Sequence, residues 1–434
     1  MLSERLLTRA VRVMNRSYLA GDNSVDVTRV PDPDPDKLYM LYVHVPFCRQ
    51  LCTYCSFNRF YFKEDRARAY FTSLRKEMDI VAEQGYRFGA MYIGGGTPTV
   101  LLDELTTTID KAKGLFGDIK DVSSETNPID LTDELYDALS GRVDRLSVGV
   151  QSFDNDLLRQ MGRFQTTGSA EDTLARVQSM QGKFGSFNVD MIYNFPTETF
   201  ETLARDIELV KQTGCNQTTF YPLMASPEKR RALQRTIGKI DYSREFAMYR
   251  QVCEGLLDSG AFVSSSAWTF SANKDMIIDE YIVDYPEYVG IGSGAMSYLI
   301  DTNYTNTFSL REYHDRIAAG KMGITKSTGA DSAKVTAMRY TFATKLFGLR
   351  LDNREFKEEY GVTVQKGLPL EMTYMKLVGA LDQNDEEAVT LTPKGRYLLV
   401  ALMRETLARS NDYRDQARAA LSHDEYTELL EPPK

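Results

Sequence analysis

Along most of the chain, short runs rich in β-branched and aromatic residues alternate with longer stretches whose apolar positions recur every three or four residues. The runs 41–45, 90–93, 122–125, 145–150, 187–192 and 217–221 read as strands. Between the first two, Ala67, Phe71, Leu74, Met78 and Val81 form one apolar stripe, which predicts a helix over 67–81. A helical segment follows each strand, and parallel neighbours need such a crossover, so the pattern predicts an α/β fold with a parallel sheet. About six such units at roughly 30-residue spacing predict a barrel, complete or partial, with its site at the C-terminal strand ends. Residues 261–265 are a further candidate strand.

The ends of the chain read differently. Residues 1–16 intersperse arginines with Leu and Val, as an amphipathic surface helix does, and the Pro/Asp-rich run 31–36 can be neither helix nor central strand. Beyond 300 the alternation stops: 330–349 and 368–383 look helical, 387–391 looks like a short strand, and Thr392-Pro393 is an N-cap and first-turn pair for a last long helix. The expected organisation is an extension and linker over 1–39, a core over 40–300, and a smaller, mostly helical, winged-helix-like domain over 301–434.

Composition narrows the class. With 434 residues, 42% hydrophobic and 26% charged, the chain can bury a sizeable core. No apolar stretch approaches a membrane span or a secretory h-region, so a cytoplasmic location is expected. A net charge of −9 gives no overall attraction to phosphate backbones, so no nucleic-acid partner is expected and a lid or packing role suits the wing. With only three histidines, a multi-histidine metal site is nearly excluded.

The five cysteines are unevenly placed: Cys48, Cys52 and Cys55 fall on a loop just after the first strand, while Cys215 and Cys253 stand alone and read as buried small hydrophobes. Thiolates spaced four and three apart can ligate three irons of a cubane cluster and leave the fourth open. A structural zinc site would need a fourth ligand, for which His44 is the nearby candidate.

Cys48-Arg-Gln-Leu-Cys52-Thr-Tyr-Cys55 closely resembles the signature of the radical S-adenosylmethionine (SAM) superfamily. The preceding Tyr42-Val-His-Val-Pro-Phe resembles the entry to the cluster loop in the oxygen-independent coproporphyrinogen III dehydrogenase family. Gly94-Gly95-Gly96-Thr97-Pro98, Ser124-Glu125-Thr126-Asn127-Pro128, Ser147 to Phe153, Met161-Gly162-Arg163 and Val189 to Pro196 resemble later segments of that family. The resemblance implies a partial (β/α)6-type radical SAM barrel, a [4Fe–4S] cluster on Cys48, Cys52 and Cys55, and one or two molecules of SAM. It assigns catalytic roles to Tyr42, Glu125 and Gln151, and cofactor contacts also to Phe57, Gly95, Gly96, Thr97, Arg163, Asp190, Ala295 and Met296. Its chemistry is reductive SAM cleavage to a 5′-deoxyadenosyl radical that abstracts hydrogen, with a flavodoxin- or ferredoxin-type electron donor. Read singly, these residues keep other readings: Glu125 as a solvated carboxylate, Gln151 bonded to backbone, Arg163 paired with Glu171, Tyr42 in the core.

Departures from the family divide the function. Phe57 stands where the true dehydrogenases carry a fourth cysteine, and 279–285 lacks their aromatic-Gln-Gly segment. The haem-chaperone branch shares the phenylalanine, but its His-Asn-x-x-Tyr-Trp motif is missing, since Trp268 has no histidine near it. Gly290-Ile-Gly-Ser-Gly-Ala-Met-Ser297 resembles both branches. Three expectations stand: hydrogen abstraction from a large anionic substrate such as a tetrapyrrole, two-SAM radical methyl transfer including the haem-opening type, and haem carriage without turnover. Propionates of a tetrapyrrole would seek cations, for which Lys229, Arg230 and Arg231 are candidates.

Overall fold

The computed structural model describes residues 27–278, 281–300, 302–329 and 333–431; the N-terminal amphipathic segment and two residues of the 279–285 stretch lie outside them. Six strands fall where the sequence pattern places them: β1 (Tyr39–Val45), β2 (Phe88–Gly95), β3 (Asp121–Thr126), β4 (Arg145–Gln151), β5 (Ser186–Tyr193) and β6 (Gln217–Pro222). All are parallel neighbours in that order. Their burial is nearly continuous rather than alternating, as expected when helices cover one face and a filled interior the other. The crossovers include α1 (Glu64–Glu83), α2 (Leu102–Phe116), α3 (Asp133–Leu139), α4 (Ala170–Ser179) and α5 (Phe200–Gln212). The stripe expected on the first lies wholly buried, from Ala67 to Val81.

After β6 come α6 (Pro227–Thr236) and α7 (Glu245–Leu257). The candidate strand at 261–265 is shorter than expected: Val263–Ser264 pairs antiparallel with β7 (Thr269–Ser271), which itself runs antiparallel to β6. On the other side of the sheet β8 (Tyr288–Ile291) joins β1 in parallel, and β9 (Met296–Leu299), β10 (Thr302–Asn306) and β11 (Ile324–Gly329) continue antiparallel. The sheet therefore has two edges and does not close, a partial barrel. It also carries on past residue 300.

The remaining described chain builds a small three-stranded sheet with helices, one long helix and, after it, the helix His423–Leu430. Helix α8 (Ala333–Phe347) leads to β12 (Arg350–Asp352). The expected 368–383 helix ends early: α9 (Pro369–Leu377) stops before Gly379, whose φ of +67° reverses the chain into β13 (Leu381–Asn384). Strand β14 (Ala388–Leu391) pairs with both β12 and β13. Thr392 then caps α10 (Pro393–Ala419), accepting the Gly395 N–H, with Pro393 in the first turn as expected. This 27-residue helix runs back over the C-terminal ends of the parallel strands, reaching both α6 and the loop after β1.

Candidate functional site

The C-terminal strand ends and the loops after them enclose a cavity of about 490 Å³. After β1, a parallel bridge pairs Phe47–Cys48 with Phe60–Tyr61, and the loop between its halves carries Cys52 and Cys55. Buried Arg59 shapes that loop: its Nη2 donates to the Cys52 carbonyl at 2.7 Å and the Cys55 carbonyl at 2.6 Å. All three thiols line the cavity, and Cys215 and Cys253 do not. Thr97 Oγ1 lies 3.6 Å from Cys48 Sγ, and Arg163 Nη1 lies 3.5 Å from Cys52 Sγ. Burial pushes the Cys48 thiol up to about 12. Burial also works against ionising Cys55, but the Arg59 charge and its hydrogen bond bring that thiol below its usual range.

Among the described residues, no three Cys, His, Asp or Glu side chains converge on a single metal ion. A cubane sets one thiolate on each of three irons, so its ligands stand apart around it. His44 has no nitrogen left for zinc. Its Nε2 is 2.8 Å from the Asn58 carbonyl oxygen, which can only accept, so Nδ1 accepts the Tyr42 hydroxyl at 2.8 Å. Burial, helped by the Arg414 and Arg418 charges, lowers its pKa to about 4 and keeps the ring neutral. Tyr42 thus lies on the cavity wall rather than in the core, aimed by His44.

The glycines after β2 are dictated by close approach. Gly95 has φ +115°, and a Cβ there would sit 2.5 Å from the His44 ring; one on Gly96 would sit 2.6 Å from the Phe47 carbonyl oxygen. These bare backbones leave a cradle between the cluster loop and β3. Glu125 faces it rather than solvent: its carboxylate accepts the Gly95 N–H at 3.0 Å and the Tyr92 hydroxyl at 2.8 Å. Asn127 Nδ2 donates to Thr97 Oγ1 at 2.6 Å and so orders the hydroxyl beside Cys48.

Gln151 ends β4 with φ +76°, after an irregularity in register at Gly149. A non-glycine residue in that region costs about 1–2 kcal/mol and often marks a functional position. Arg163 does not pair with Glu171, which instead accepts from Asn155 at 3.5 Å. Its guanidinium donates to the Gly149 carbonyl and to Asn127 Oδ1, while its buried Nε has no hydrogen-bond partner. Asp190 accepts from Ser147 Oγ and Asn188 Nδ2, each at 2.7 Å. Phe57 and Met296 also line the cavity, but Ala295 does not: it is buried behind the wall, its N–H on the Gly292 carbonyl. Lys229, Arg230 and Arg231 do not line it either.

The cations that do are Arg49, Arg59, Arg163 and Arg414. Arg414, on α10, lies over the Phe57 ring at 4.8 Å and donates to Asn411 Oδ1 at 2.9 Å; it pairs with no carboxylate among the described residues. One turn on, Arg418 donates to the Ser56 and Phe57 carbonyls and to Asp415, and Asp415 also accepts from Ser56 Oγ at 3.0 Å. Sequence reading missed these residues of α10. They are lone polar positions on a helix hundreds of residues from the cysteines, without a local signal. Arg59, four residues after Cys55, was findable as a cation beside a thiolate. The three thiols, the glycine cradle and the orphaned Arg163 donor fit a [4Fe–4S] cluster with SAM.

Comparison with known proteins agrees. Residues 42–210 match the radical SAM superfamily. The haem chaperone HemW of Bacillus subtilis is 26% identical over 371 residues, covering 82% of this chain and 96% of the relative. Anaerobilin synthase of Escherichia coli O157:H7 is 26% identical over 296 residues, 65% of this chain and 66% of the relative. Among solved structures, the coproporphyrinogen III oxidase of Escherichia coli superposes with a TM-score of 0.69 at 21% identity, covering 87% of this chain and 91% of its own.

Proposed function

We propose that this chain, which matches the radical SAM superfamily over residues 42–210 and resembles coproporphyrinogen III oxidase and haem chaperones, abstracts hydrogen from a tetrapyrrole-like, carboxylate-bearing substrate. The observation that carries this reading is the shared cavity: the three thiols line it together with aromatic and apolar side chains and with Arg414. With its cluster, SAM supplies reductive C–S cleavage and, from it, removal of a hydrogen atom from an unactivated C–H bond. The chain's part is binding and orientation. Cys48, Cys52 and Cys55 would hold the cluster, and the Gly95–Gly96 cradle with Glu125 would take the SAM amino group. Arg163 would neutralise the SAM carboxylate, and Gln151 and Asp190 would fix the nucleoside. Tyr221, Trp268, Tyr281 and Tyr288 offer flat apolar faces to a large conjugated ring, while Arg414 meets a carboxylate. Helix α10 covers the site and keeps water from it.

A second reading, haem carriage, is favoured by the likeness to HemW over 82% of this chain and 96% of that relative. One experiment separates the readings: mass spectrometry of SAM products after anaerobic cluster reconstitution, with coproporphyrinogen III and haem each offered. Substrate-dependent 5′-deoxyadenosine without S-adenosylhomocysteine is expected. Both products together would replace hydrogen abstraction by methyl transfer. Haem retention by a loaded protein that makes neither would replace it by carriage. Arg414→Ala should raise the KM for the carboxylate substrate at least about tenfold while leaving substrate-free SAM cleavage within about twofold.

A further inference from the structure

A chain of formal charge −9 carries, over residues 228–241, the cations Lys229, Arg230, Arg231, Arg235 and Lys239 against only Glu228 and Asp241. Most of this segment is α6 and its exit. None of the five cations forms an ion pair among the described residues, although arginines elsewhere on the surface commonly do, as Arg68, Arg142 and Arg159 show. Arg231, Arg235 and Lys239 are exposed, and none of the five reaches the substrate cavity. The patch therefore has no structural partner and no place in substrate binding.

Its position is the second observation. Ser226, the N-cap of α6, accepts the Lys229 N–H at 3.1 Å and donates to Asp415. The same Asp415 oxygen accepts from Ser56, the residue covalently joined to Cys55. Two hydrogen bonds through one carboxylate thus separate the first turn of the basic helix from the peptide that follows the last cysteine. Burial lowers the Lys229 ammonium pKa, and the charges of Arg59 and Arg418, whose side chains both bond carbonyls of the cluster loop, stand close enough to add to it.

We propose that the outer face of α6 is the docking surface for a small acidic one-electron carrier, a flavin or iron–sulfur protein, which delivers its electron to the cluster across the Ser226–Asp415–Ser56 contact. This rests on the radical SAM reading above. One electron leaves the carrier, oxidising it by one unit, and takes the cluster from its 2+ to its 1+ state; no covalent bond forms or breaks. A positive patch on a chain of net negative charge steers an acidic partner toward this face.

The test uses the reconstituted full-length chain and reduced flavodoxin as the probe, with cluster bleaching followed by stopped flow and complex formation by calorimetry. Arg231→Glu/Arg235→Glu should slow bleaching by flavodoxin at least about tenfold at low salt, and the wild-type rate should fall steeply with ionic strength. Dithionite should bleach wild type and variant alike and support equal SAM cleavage. Equal flavodoxin rates and affinities in the two proteins would overturn the proposal. So would loss of retention on a nucleic-acid duplex in the variant with unchanged response to flavodoxin. A wild type that holds no cluster, or that leaves SAM intact with dithionite, would instead refute the radical SAM reading, so the two failures are distinguishable.

Discussion

Single residues at this site are held in conformations that a merely structural role would not require. Gln151 pays about 1–2 kcal/mol for its left-handed backbone. Gln151→Gly should therefore raise stability against urea by about 1 kcal/mol while weakening SAM binding in equilibrium dialysis; a stabilised variant with unchanged SAM affinity would return the glutamine to a backbone role. Cys48, Cys52 and Cys55 each changed to Ala should lose iron and the brown absorbance, whereas Cys215→Ala, whose thiol points at the Val210 carbonyl, should keep both. Thirteen of the fourteen positions read from the sequence as site residues line one cavity, because most lie in the later half of a parallel strand or on the loop after it, where order in the chain translates into neighbourhood in space. Ala295 is the exception. It sits on the turn between β8 and β9, and motif spacing cannot tell which residue of a turn faces inward.

At the scale of elements, the six parallel strands were legible because both of their faces are buried and their runs are rich in β-branched and aromatic residues, polar threonines and serines included. Strand β8 was not: its four residues include Gly290, it precedes no helical crossover, and its partner β1 lies some 250 residues earlier. The 368–383 segment misled in the opposite way, since its apolar spacing continues through a turn that Gly379 makes. Helix α5 shows how an element can serve a site without lining it. Its Asp206 accepts Ser152 Oγ at 2.7 Å and the Phe153 N–H at 2.8 Å, pinning the backbone just after Gln151. Before α5, Glu198 accepts the Phe195 N–H at 3.1 Å and holds the turn after β5. Burial raises Asp206 to about 7 and Glu198 to about 8; the Asp206 charge also opposes ionisation of Glu198, and the Asp154 charge that of Asp206. Both carboxyls prefer the proton when folded, so their contribution is full below about pH 4 and is lost as pH rises through 7 to 8. Chemical denaturation should show stability falling across that window, by about 2–4 kcal/mol if one carboxyl ionises. Asp206→Asn should flatten the slope, and an unchanged profile would place the titration elsewhere.

For the molecule as a whole, the roof of the cavity comes from α10, far along the chain from the cysteines. Asp415 joins α10 to the cluster loop through Ser56 and to α6 through Ser226, and is itself paired with Arg418. Removing one member of such a buried network strands the others at a cost of about 3–5 kcal/mol. Asp415→Ala should therefore lower the melting temperature and speed loss of iron from the loaded protein; iron retained at the wild-type rate in a folded variant would show that α10 does not secure the loop. The same connection has a consequence in time. Cys48, Cys52 and Cys55 emerge early from the ribosome, while their clamp lies 359 residues later, between Ser56 and Asp415. Until α10 is synthesised, the nascent thiols stand without their cover, able to oxidise or to capture stray metal. Cluster delivery before α10 docks thus reaches an open loop, and delivery afterwards meets the loop under that helix.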